Sequence, residues 1–244
     1  MYEERVYRNH ILSKFREEVS YKESDLLISA DKQLDNRVSR NILTKYYNEI
    51  EDYIKDNSSF FTALSPVSAK ETAPDIIKNM AACARVTGIG PFSAVAGAIA
   101  FYVGSELLQF GSELIIENGG DIFLKINEDK RIGVYLGEGF YSSKDPAVEE
   151  ISLIIKKRED AFGIASSSSS IGHSLNFGKA QLVTVIARNS IIADGFATAL
   201  SNRIKKETDV SAVLEIAKDN SLIDAIVIAF EGKLYLWGDI ELER

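Results

Sequence analysis

Hydrophobic and polar positions follow two different periods along the chain. In residues 5–12, 14–21 and 25–30, β-branched and aromatic side chains alternate with polar ones, which predicts strands, with Lys22-Glu-Ser-Asp25 as a polar turn. The period then lengthens. Val38, Ile42, Tyr46, Ile50 and Ile54 form one stripe at four-residue spacing, predicting a helix that Asp35 or Asn36 caps and that ends near Asp56. Residues 57–65 read as a break. Pro74, suited to a first helical turn, opens a helix through Ile76, Ile77, Met80 and Cys83. Thr87-Gly-Ile-Gly-Pro91 is a loop that leads into an alanine-rich helix over residues 92–110.

Beyond Gly111 the alternation returns. Residues 114–117, 122–126 and 131–136 predict strands, with Asn127-Glu-Asp-Lys130 as a hairpin loop. Further strands are expected at 151–156, 162–166 and 181–187, helices at 191–205 and 211–218, and a closing hairpin of 225–230 and 233–237 turning at Glu231-Gly232. Strands and helices come in groups rather than strict alternation. The expectation is therefore an α+β fold of largely antiparallel or mixed sheets packed against helices, in one domain over residues 1–244.

Composition narrows the function classes. A net charge of -8 repels nucleic-acid backbones and anionic lipid surfaces, so neither is expected as a main partner. One cysteine, Cys83, excludes an internal disulfide framework and suits a reducing compartment. It lies among alanines and reads as a small core thiol. The first residues are charged, with no apolar run of a secretion leader, so the expected location is the cytoplasm. Residues 86–105 carry no charge over nearly the length of a membrane span. Their glycines, proline and alanines instead favour a buried helix, whose small side chains would admit a close neighbouring backbone or a flat ligand.

Three segments carry candidate chemistry. Glu117-Asn-Gly-Gly-Asp-Ile122 lies between two strands; Asn118 and Asp121 could hold a ligand that the glycines allow to approach, or the segment is an ordinary hairpin turn. The serines of 166–170 precede Gly172-His173. Hydroxyls and amides there could cradle phosphate oxygens with His173 moving a proton, or the serines are a plain surface loop. Asp194 and Thr198, four apart near a helix start, would present hard oxygen ligands on one face, or Asp194 merely caps the helix.

Taken together and in order, these segments resemble the ApbE-like proteins. Asn118-Gly-Gly-Asp-Ile122 is similar to their N-x-G-G-D-I segment, residues 165–170 to their A-T-S-G region before a histidine, and Ala193-Asp-Gly-Phe-Ala-Thr-Ala199 to A-D-x-x-x-T-A. With Gly90–Ala100 and Gly172–Gly178, the chain resembles most the small branch found in archaea and anaerobic bacteria. The resemblance implies FAD:protein FMN transferase chemistry with Mg²⁺ and FAD or FMN as cofactors, and a protein acceptor. It implies Asp194 and Thr198 as metal ligands and His173 as the catalytic group near the phosphates. Asn118, Gly119, Gly120 and Asp121, with Ser166, Ser167 and Ser168, would line the cofactor site. Asn176-Phe177 stands where those enzymes have Asp-Pro, and no early Met-Gly-Thr segment is present. The smaller branch also implies an alternative, an accessory or ligand-binding role in sulfide assimilation and homocysteine biosynthesis.

Overall fold

The alternating segments pair into an eight-stranded sheet whose two faces meet different partners. In the computed structural model, which describes residues 14–136, 140, 150–169 and 176–243, the first strands are β1 (Phe15–Tyr21) and β2 (Ser24–Ala30). Helices α1 (Asn36–Asp56), α2 (Ser58–Thr62), α3 (Asp75–Thr87) and α4 (Val95–Leu107) follow. Then come β3 (Leu114–Asn118), β4 (Asp121–Lys125), β5 (Lys130–Tyr135), β6 (Glu150–Ile155), β7 (Phe162–Ser167) and β8 (Leu182–Ala187). The chain closes with α5 (Ser190–Ser201), α6 (Glu207–Lys218), β9 (Ile223–Phe230), β10 (Lys233–Gly238) and β11 (Glu241–Glu243). The large sheet runs β1-β2-β3-β4-β7-β8-β9-β10 and a small one β11-β6-β5, with every neighbouring pair antiparallel.

The period-two pattern divides the core. Ile116, Phe123, Ala165, Val183, Val185 and Ile226 point to the helices, whereas Ile115, Leu124, Ile164, Leu182, Ile186 and Val227 point to Ile132, Leu153 and Ile155 of the small sheet. The result is three layers, as expected of an α+β fold. The predicted strand at 5–12 lies outside the described residues.

Helix boundaries show which local signals act. Asp35 caps α1, its carboxylate accepting from Arg37 N at 2.9 Å. Gly88, at φ 78, ends α3. The expected break at 57–65 contains the short α2, and the helix expected to reach Lys205 stops at Ser201. The stretch Pro91–Phe110 is not one regular helix: tighter 3₁₀ turns flank α4 at Pro91–Ala94 and Leu108–Phe110. Among the described residues it is the stretch long and apolar enough to cross a membrane, and half of its apolar window is buried inside the protein.

Every residue of α5 is buried. A helix apolar all round needs cover on all sides, and it lies between β7 and β8 on one flank and α3 and α4 on the other. Glycines allow this approach. A Cβ on Gly97 would stand 2.2 Å from Ser190 O and 2.7 Å from Asp194 Cβ, and one on Gly195 would stand 2.3 Å from Cys83 Sγ. Cys83 is thus the core thiol expected, donating to Ile191 O at 3.2 Å, with its pKa pushed up to about 12 by burial.

The Gly97 contact is with backbone, which cannot rotate away. Gly97→Ala is expected to destabilise the fold by about 3 kcal/mol or more, at the upper end of overpacking costs. Urea denaturation checks this; a variant as stable as the parent would contradict the packing described.

Candidate functional site

The β3–β4 turn brings the first motif to the helix side of the sheet. Asn118 and Asp121 are register partners joined by Gly119 and Gly120 at φ 68 and 101. A hairpin reading of this segment is therefore correct for its backbone. Its side chains are another matter. Asn118 and Asp121 share the face of Ile116 and Phe123 and are both buried. Glu117, on the opposite face, fastens the turn by accepting from Gly120 N at 2.7 Å. Aligned on the glycine pair, the N-x-G-G-D-I pattern places Glu117 rather than Asn118 at its asparagine, a shift of one residue from the sequence comparison.

The third motif corrects a capping expectation. Asn189, not Asp194, caps α5, its side chain accepting from Ile192 N at 2.9 Å. Asp194 lies in the second turn and accepts instead from Gly97 N at 2.9 Å. Gly97 is in the first turn of α4, where backbone N–H groups lack partners within their own helix. Asp194 thus caps a neighbouring helix, at its electropositive end. The carbonyl of the same peptide unit, Ala96 O, accepts from Asn118 Nδ2 at 3.1 Å. Ser190 Oγ adds a bond to Gly97 O at 2.7 Å. One peptide of α4 therefore ties the β3–β4 turn to α5.

Asp121 and Asp194 face each other inside this junction. Burial raises the pKa of Asp121 well above the carboxylate range, helped by the charges of Asp194 and Glu117 and opposed by a bond from the Ser166 backbone. Burial raises Asp194 to about 7, against the Gly97 hydrogen bond. Among the described residues no cationic neighbour acts on either carboxylate. Thr198, one turn after Asp194 on the same face of α5, is buried, and its hydroxyl has no hydrogen-bond partner among the described residues.

The serines divide by strand parity rather than acting as one loop. Ser166 faces the small sheet and meets Thr184 Oγ1 at 2.8 Å, so its side chain lies away from the acid pair and only its backbone reaches Asp121. Ser167 faces the helices. Its Oγ accepts from Asn176 Nδ2 at 3.0 Å, and the same amide donates to Ser201 Oγ at 2.8 Å. Ser168 is half-buried beyond the strand end. His173 lies outside the described residues. Sequence reasoning named Asn176 as a departure from Asp-Pro but not its bonds, and passed over Gly97 and Ser201 as site residues; the alanine-rich stretch signalled close approach but not which backbone would come near.

Asn118 also borders a cavity of about 150 Å³, walled by Tyr47, Ile50, Phe92, Val95 and Ile99, with Glu23 and Glu51 at its polar edge. A void of that size accommodates a single benzene-sized ring.

The fold, an antiparallel sheet with helices on one face and a smaller sheet on the other, is that of the ApbE proteins, as superposition on solved structures shows. The chain matches the sequence model of the family described as AbpE bacteria over residues 8–235, and it belongs to that family. It is 34% identical over 229 residues to a UPF0280 protein of Methanocaldococcus jannaschii, covering 93% of this chain and 91% of that one. To a UPF0280 protein of Archaeoglobus fulgidus it is 32% identical over 225 residues, covering 90% of each. Among solved structures, the ApbE protein of Thermotoga maritima superposes with a TM-score of 0.58 at 13% identity, covering 93% of this chain and 96% of that one. The flavin transferase ApbE of Vibrio cholerae gives a TM-score of 0.58 at 14% identity, covering 91% and 96%.

The acid pair makes stability depend on pH. Unfolded, Asp194 titrates as an ordinary carboxyl, so between about pH 4 and about pH 7 folding takes up a proton. The fold without a bound cation is expected to weaken as pH rises through that window and to change little from Asp194 above it. Asp194→Asn keeps an acceptor for Gly97 N and flattens the profile. Asp194→Ala leaves that N–H unpaired and costs about 1–3 kcal/mol. Chemical denaturation across the pH range measures all three; a parent profile rising toward neutral pH would contradict the assignment.

Proposed function

We propose that this chain is a Mg²⁺-dependent, flavin-nucleotide-binding protein of the FMN-transferase type. The observation that carries the reading is the pair of buried carboxylates, Asp121 and Asp194, with no cationic side chain among the described residues to offset them. Two such groups in a dry site must share a proton or hold a cation. Carboxylate and hydroxyl oxygens are the ligands that Mg²⁺ takes alongside water and phosphate. Asp194 and Thr198 would hold the metal, with Asp121 opposite, and Asn118, Gly119 and Gly120 on the side of the flavin ring. A divalent cation bound there would supply positive charge to phosphoryl oxygens as a pyrophosphate bond is cleaved. The chain's own part is to orient: Gly97 N fixes Asp194, Glu117 fixes the glycine turn, and Asn176 fixes Ser167. His173 would move a proton near the phosphates, and a Ser or Thr of a partner protein would accept FMN.

A second reading has its own support. Asn176 stands at the aspartate of the Asp-Pro pair and is engaged in bonds to Ser167, Ser201 and Gly178 N, so it supplies no charge. An accessory or ligand-binding protein of sulfide assimilation and homocysteine biosynthesis would use this fold without phosphoryl transfer.

Calorimetric titration of FAD with and without Mg²⁺, into the parent and Asp194→Asn, tests the metal site. The expected outcome is Mg²⁺-dependent binding in the parent that falls at least about ten-fold in the variant. Equal affinities in all four titrations would remove the metal reading and leave the accessory role ahead. Release of AMP from FAD, with flavin retained on an added acceptor, separates transfer from binding.

A further inference from the structure

Phe177 is among the most exposed large apolar side chains described, with 54% of its surface open. Its backbone is nonetheless held on both sides. Phe177 N donates to Asn202 Oδ1 at 2.7 Å, and Lys205 Nζ donates to Phe177 O. On one side of it, Asn176 bridges Ser167 and Ser201. On the other, Gly178 is so close to α5 that a Cβ would stand 2.0 Å from Ser201 O, and Lys179 N donates to Ile204 O at 2.8 Å. A short segment pinned at so many points does not display a phenyl ring to water for packing reasons.

Its place relative to the acid pair is specific. Across the sheet, Asn118 is on β3, Asp121 on β4 and Ser167 on β7, in consecutive strands, and Asn176 is bonded to Ser167. Along α5, Asp194, Thr198 and Ser201 succeed one another on one face, and Asn176 is bonded to Ser201. From the acid pair the path across the sheet to Ser167 crosses one strand spacing, about 5 Å, and the path along α5 to Ser201 runs seven helical rises, about 10 Å; Asn176, beside Phe177, is bonded to both ends. The ring-sized cavity beside Asn118 lies at the opposite end of the same row. Lys205 contacts Phe177, and exposed Lys179, Arg203 and Lys206 lie on the two segments that are bonded together here, a local excess of positive charge in a chain whose net charge is -8, which favours an anionic ligand.

We infer that Phe177 is a stacking platform for the purine ring of a phosphate-bearing dinucleotide, whose other ring enters the cavity beside Asn118 while its phosphates lie between. The inference rests on the proposed nucleotide site and adds a residue that determines which end of the ligand lies where. Phenylalanine offers a flat face to a base, and such stacking is lost on truncation to alanine.

The test is calorimetry on the full chain with Mg²⁺, titrating FAD, ADP, FMN and pyrophosphate into the parent, Phe177→Ala and Phe177→Trp. Phe177→Ala is expected to weaken FAD and ADP about ten-fold. FMN and pyrophosphate should be unaffected, Phe177→Trp should restore the loss, and the melting temperature should not change. Unchanged FAD and ADP affinity would overturn the platform, and so would an equal loss for all four ligands or a loss for FMN equal to that for FAD. If ADP binds with the Phe177 effect while neither flavin binds, the platform stands and the flavin reading fails. If FMN binds and ADP does not, the flavin reading stands and the platform fails; if the parent binds none of the four, both fail.

Discussion

A helix without an exposed side must be inserted between layers, and the architecture of this protein follows from accommodating α5. Its small residues admit a sheet on one flank and two helices on the other, and glycines remove side chains where backbones meet, at Gly97 and Gly163 as well as within α5 itself. The polar groups this helix carries, Asp194, Thr198 and Ser201, are consequently taken out of water. Two of them, Asp194 and Ser201, find partners on different elements. Gly97 N of α4 serves Asp194, and Asn176 serves Ser201.

That demand explains why distant segments of sequence converge. The peptide unit between Ala96 and Gly97 bonds Asn118 through its carbonyl and Asp194 through its N–H, so two of the motifs are aligned by one rigid group of α4. What stays unbalanced is the burial of two neighbouring carboxyls, Asp121 and Asp194, which raises both pKa values and which no cation among the described residues relieves. Retaining such an arrangement costs stability in the empty protein. The cost has a purpose if an incoming cation and its phosphate ligand remove it.

Much of the fold was legible in the sequence because the two hydrophobic periods are clean. The stripe from Val38 to Ile54, the alternation of β2 and the Glu231-Gly232 hairpin all appear where the pattern put them. Helix ends were less legible: the 191–205 segment stays helical in composition to Lys205, yet Ser201 O is taken by Ile204 N in a turn. Within the site, Asp121, Asp194 and Thr198 could be named from motif order. Their mutual geometry could not, because a local reading credits Asp194 with capping its own helix, and only tertiary packing brings it to Gly97. The serine run misled for a related reason: strand parity sends Ser166 and Ser167 to opposite faces, which no composition count reveals.

The β3–β4 turn has a consequence for what can replace it. Added side-chain carbons at Gly119 and Gly120 would meet nothing within 4 Å, so space does not exclude other residues there. Backbone conformation does, since both lie at positive φ. A mirror-image amino acid built in by chemical ligation would therefore fit where its natural enantiomer strains the turn. The position of Asp121 is thus governed by chirality, and the genetic code offers achiral glycine as its closest approximation to a mirror-image residue.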